Sequence, residues 1–109
     1  MALILRDLVK LCQETAEDKG FPLTNYPVQL LRMHSEISEA FQILSRLPQG
    51  SYQGNESLEM AAKYREELAD LAITLFAHCG GNGIDLEAEI QRKLACNRER
   101  PYLHGKAFW

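Results

Sequence analysis

Apolar residues recur along this chain at three- and four-residue steps, and glycines, prolines and small polar residues interrupt them at three places. Leu5, Leu8, Val9 and Cys12 open the pattern and predict a first helix over residues 3–19, with Gly20 as its stop. The stretch FPLTNYP holds two prolines and reads as a loop. Leu30, Met33, Ile37, Phe41 and Leu44 form the stripe of a second helix, which cannot pass Pro48. Gly50, Ser51, Gly54 and Asn55 mark a polar loop between Gln49 and Ser57. Ala61, Tyr64, Leu68, Leu71, Ala72 and Leu75 predict a third helix, ended by Gly80-Gly81-Asn82-Gly83. Asp85 stands where a fourth helix through Leu86, Ile90 and Leu94 needs an N-cap. Pro101 closes the helical region and leaves the tail YLHGKAFW. Strand alternation is nearly absent. The pattern predicts an all-α fold, a compact antiparallel four-helix bundle made of one domain over residues 1–109.

Composition narrows the class. A chain of 109 residues with 46% hydrophobic and 25% charged residues has the make-up of an ordinary globular protein. A net charge of −3 argues against a nucleic-acid polymer as partner, although twelve Lys and Arg leave room for a local phosphate site. No apolar run approaches a membrane span, so no membrane partner is expected. Cys12, Cys79 and Cys96 are odd in number and lack zinc-site spacing. With no secretory signal at the start, reduced thiols in the cytoplasm are the expectation.

The candidate chemistry lies in two short runs, EISEAFQIL and ELADLAITL. Glu36 and Glu39, and Glu67 and Asp70, are each three positions apart, so each pair stacks on one helix face. Both pairs hold the same angle to the apolar residues between them, Ile37 and Leu68. Neither glutamate of the first pair has a basic residue four positions on: Ala40 follows Glu36 and Ile43 follows Glu39. If the two helices pack together, four carboxylates meet. Like charges ~4 Å apart repel by about 4 kcal/mol even at an effective dielectric near 20, so such a cluster calls for a cation. Ligands that are all oxygen favour Mg²⁺, or Mn²⁺ in its place, over zinc. On the fourth helix, Lys93, Asn97 and Arg100 share one face, with Lys106 beyond them in the tail. That set suits phosphate oxygens. The plainer alternative pairs Lys93 with Glu89 and leaves the rest solvated.

The ordered set of acidic pair, acidic pair and the distal run KLACNRERPYLHGKAF resembles the MazG-like nucleotide pyrophosphohydrolases of the all-α nucleoside triphosphate pyrophosphatase superfamily. The resemblance runs from about Leu30 to the C-terminus. It implies hydrolysis of a nucleoside triphosphate to the monophosphate and pyrophosphate, with Glu36, Glu39, Glu67 and Asp70 holding Mg²⁺. It also implies that Lys93, Asn97, Arg100, His104 and Lys106 bind the triphosphate, and that the chain forms a homodimer or homotetramer. One position departs: many members carry a further glutamate directly before the first pair, where this chain has Ser35.

Other residues attract plainer readings. His34 and His78 read as packed or capping histidines, and Tyr102, Phe108 and Trp109 as aromatic packing. Phe21, Tyr26 and Tyr52 are loop aromatics from which a base pocket could be built. Three rivals remain at this stage. A di-iron bundle would need Glu-x-x-His where this chain has Glu39 and Asp70. A non-catalytic interaction module would leave the acids as plain surface. A phosphoribosyl-ATP pyrophosphohydrolase would cleave the same type of bond.

Overall fold

The computed structural model describes residues 4–46 and 58–100. Four helices follow one another: α1 (Leu5–Asp18), α2 (Tyr26–Ser45), α3 (Leu58–Gly81) and α4 (Leu86–Glu99), and the described residues contain no strand. The expectations placed on Leu3, Pro48, Tyr52, Pro101, Tyr102, His104, Lys106, Phe108 and Trp109 lie outside the described residues.

Local chemistry sets the boundaries. α1 ends in a Schellman motif: the Gly20 amide donates to Glu17 O and the Phe21 amide to Ala16 O, with Gly20 at φ +75°. α2 begins inside the stretch read as a loop, because Asn25 caps it by accepting from the Val28 amide at 3.3 Å. Pro27 falls in its first turn, where no amide hydrogen is missed. Asp85 caps α4 as expected, accepting from the Ala88 amide at 3.1 Å.

α3 takes in Gly80 and Gly81 as its last two residues and ends there, within the expected stop, with Gly83 beyond it at φ +67°. The first two glycines also serve close approach. A Cβ at Gly80 would lie 2.9 Å from Gln13 Cβ, and one at Gly81 would lie 2.8 Å from Leu23 Cβ. The contact is held by Asn82, whose Nδ2 donates to Leu23 O (2.7 Å) and His78 O (2.8 Å). His78 is buried, with its ring edge-on to Tyr26 at 4.8 Å, as its packed reading predicts.

α3 is the central helix, with α1 and α2 both packed on it. α2 and α3 run in opposite directions: Tyr26 at the start of α2 meets His78 near the end of α3, and Glu36 meets Glu67 midway. The core is built of small side chains, Cys12, Ala16, Ala40, Ala77 and Cys79, with Leu23 among them. Small residues bring helix axes close but bury little volume each. α4 joins chiefly through α1. There Arg6 reaches Asp85 at 3.2 Å and Glu87 at 2.6 Å.

The orientation of α2 differs from the simple expectation. Part of its stripe faces outward, with Leu30 58%, Ile37 54% and Phe41 68% exposed and His34 exposed beside them, while Met33 and Leu44 are half-buried. The face turned to α3 carries Gln29, Glu36 and Ala40 instead. Leu68, the matching stripe centre on α3, is also exposed. Periodicity identifies an apolar face but not its partner, and within this chain the partnered face of α2 is rotated toward the polar flank, keeping Met33 and Leu44 half-buried at its edge.

Candidate metal and nucleotide site

That orientation brings the acids together. Glu36 from α2 and Glu67 and Asp70 from α3 place carboxylate oxygens all within 4.8 Å of one another. Glu36 and Glu67 are half-buried and Asp70 is exposed. Glu39 stands one turn further along α2, outside the tightest group but near enough to Glu67 to perturb its titration and be perturbed in turn. None of the ion pairs among the described residues involves these four acids; they join Arg6 to Asp85 and Glu87, Lys63 to Glu59, and Arg92 to Glu89.

The electrostatics follow from this crowding. The Glu39 carboxyl is held above its ordinary range, first by the hydrogen bond to Glu67 and then by that group's charge. Glu67 is raised as well, first by its hydrogen bond to Glu36, although Glu39 pulls the other way. One oxygen of Glu67, Oε2, is buried with no conventional donor. Two carboxylates in contact need a proton or a cation between them. The donor set is entirely oxygen and includes that orphaned atom, so it fits a hard divalent cation.

Of the distal residues, those described lie on α4 and at its C-cap. Lys93 and Asn97 are half-buried on α4 and Arg100 is its exposed C-cap. The main contact of α4 is with α1. Glu89 pairs with Arg92 at 2.8 Å, and the ion pairs among the described residues include none between Glu89 and Lys93. Asn97 Oδ1 is buried without a hydrogen bond.

A cavity of about 340 Å³ opens between α1, α2 and α3, with Glu36 and Asp70 on its lining. Of the loop aromatics, Phe21 lines it, with the Arg32 guanidinium 4.5 Å from its ring centre, while Tyr26 is committed to His78. Gln29 also lines it and is a residue that sequence reading passes over. The available signal was its place two turns before Glu36 on the same face of α2. Cys12 and Cys79 are buried thiols raised by desolvation, hence poor nucleophiles, and Cys96 is exposed. No described helix is long and apolar enough to cross a membrane. Compared with known proteins, the chain matches no family model, no curated protein and no solved structure.

Proposed function

We propose that this chain is a Mg²⁺-dependent nucleoside triphosphate pyrophosphohydrolase of the MazG-like kind. It would convert (d)NTPs to (d)NMPs and pyrophosphate in the cytoplasm and clear unwanted nucleotides. The observation that carries the reading is the convergence of Glu36, Glu67 and Asp70 within 4.8 Å, with no basic side chain paired to them among the described residues. Surface acids that merely solubilise a helix gain nothing from being packed against one another.

In this reading Glu36, Glu39, Glu67 and Asp70 hold the metal, and Mn²⁺ can substitute. Bound there, the metal supplies Lewis-acid polarisation of a phosphate oxygen and a more acidic water. Lys93, Asn97 and Arg100, with His104 and Lys106, bind the triphosphate. α4 packs mainly on α1, so these residues reach the acids most simply from a second subunit. The outward stripe of α2 supports such an assembly: large apolar side chains each gain about 1.5–3 kcal/mol on full burial, and Leu30, Ile37 and Phe41 are left in water in one chain.

Incubation with each NTP and dNTP plus Mg²⁺, followed by product analysis, tests the reaction. Monophosphate and pyrophosphate are expected, and both should fall at least a hundredfold in Glu67→Gln. Diphosphate with free phosphate would refute the bond assignment. The outward stripe equally favours a second reading, a non-catalytic helical interaction module. Such a module would show no change in melting temperature with Mg²⁺, whereas the enzyme should be stabilised.

A further inference from the structure

The cavity beside the acids has a floor of Cys12, Ala16, Leu23 and Ala77. Two threonines also line it, but their hydroxyls are spent within their own helices. Thr15 Oγ1 donates to Leu11 O (2.8 Å) and Thr74 Oγ1 to Asp70 O (2.9 Å). Gln29 is different. It is 1% exposed, and its Nε2 is buried without a hydrogen-bond partner.

An unpaired amide donor in a core is costly, so a ligand able to accept from it is favoured there. The surroundings narrow that ligand. A free phosphate would meet Glu36 and Asp70 as well as Lys19 and Arg32, and would leave the apolar floor of Cys12, Ala16, Leu23 and Ala77 uncovered. A plain hydrocarbon would leave Nε2 unpaired. A neutral flat heterocycle with a polar edge satisfies both conditions. The Phe21–Arg32 stack supplies a flat wall for its face, and a volume of about 340 Å³ lies within the usual small-ligand range of roughly 300–1,000 Å³. A carboxamide presents a donor and an acceptor in one plane, matching the adjacent acceptor and donor along the pairing edge of a nucleobase.

We propose that this cavity takes a nucleobase and that the Gln29 carboxamide reads its hydrogen-bonding edge, making Gln29 a specificity-determining residue. The inference rests on the nucleotide reading above, in which Glu36 and Asp70 face the phosphate end of the same ligand. Arg32 and Lys19, also on the lining, are the cations available to moderate the acids between base and phosphates.

The test is a titration of the full chain, with ¹⁵N-labelled glutamine side chains, against adenosine, guanosine, cytidine and thymidine in EDTA. Neither metal nor turnover is then required. The Gln29 side-chain amide signals should shift with at least one nucleoside. Gln29→Met, which keeps the length and removes the carboxamide, should bind that nucleoside at least about tenfold more weakly. Gln29 signals that move with no nucleoside would overturn the proposal, leaving a cavity that holds only water. Equal binding by Gln29→Met would overturn the reading role. Should the variant fail to fold, the wild-type titration decides alone. Nucleoside binding without hydrolysis of any nucleotide would sink the hydrolase reading and keep this one; hydrolysis with a silent Gln29 would do the reverse.

Discussion

Glu67 meets Glu36 on one side and Glu39 on the other, and both Glu39 and Glu67 hold protons more tightly than free carboxyls do. At neutral pH the metal-free protein therefore carries repulsion that a neutral isostere would relieve. Glu67→Gln should raise the melting temperature in EDTA by a few degrees and abolish the further rise on adding Mg²⁺. Differential scanning fluorimetry of both proteins, with and without Mg²⁺, reads both effects. A lower melting temperature for the variant in EDTA would show that the carboxylate is already compensated. Asp85 shifts in the other direction: the Ala88 amide, and after it Arg6, hold its carboxyl below the ordinary aspartate range. A lowered pKa gives stability that is present above the unfolded value and lost as pH falls through the folded one. Protection of α4 amides from hydrogen exchange should thus fall in acid below the usual aspartate range. Asp85→Asn keeps the capping oxygen and should flatten that dependence.

Among the elements, the close approach at the end of α3 has a measurable counterpart. Gly81→Ala would gain at most about 1 kcal/mol of helix propensity. It would also drive a methyl to 2.8 Å from Leu23 Cβ, which cannot retreat without its backbone, and overpacking typically costs about 1–3 kcal/mol. The overpacking wins, so urea denaturation should show net destabilisation. Starts and stops of this kind were largely legible in the sequence. Gly20, Asp85 and Gly83 act through backbone groups within a few residues of themselves, whereas the Asn25 cap lies inside a stretch that reads as a loop. Even here the reading was incomplete where two causes share one residue type: α3 does end at Gly81, but Gly80 and Gly81 are also a contact surface, which the spacing alone does not show. The phase match of the two acid pairs was also legible, since it depends only on helical spacing. Whether α2 would turn its stripe or its acids toward α3 was not. That choice depends on what covers the stripe, and one chain's sequence does not say whether the cover is its own. Gln29 stayed hidden for a related reason, because a glutamine in a first helical turn reads as surface until the fold closes around it.

At the scale of the whole molecule, the small-residue core and the outward Leu30, Ile37 and Phe41 pull in one direction. About 800 Å² buried per partner is usual for a stable complex. A handful of large apolar side chains that are half or more exposed on one helix can supply much of that area. Light scattering at micromolar concentration should therefore report a dimer or larger species, and Phe41→Glu should shift it toward monomer. A wild-type monomer would remove the second-subunit route for Lys93, Asn97 and Arg100, and with it the simplest way for α4 to serve the acids.

The clamp made by Asn82 has a consequence for the lifetime of the protein. Asn82 is followed by Gly83, the pairing in which the next backbone nitrogen most readily attacks the asparagine side-chain carbonyl, expelling ammonia to leave a cyclic imide that water opens to an acid. In the folded chain the Asn82 amide is engaged with two carbonyl oxygens, and the Gly83 nitrogen donates to Gly80 O at 3.4 Å, so the geometry for ring closure is withheld. Once converted, position 82 would press a negative charge on the carbonyls it now serves and loosen Leu23 from the cavity floor. Slow chemical ageing would then act as a one-way latch: molecules that unfold often are the ones marked, and a marked molecule refolds with its pocket ajar.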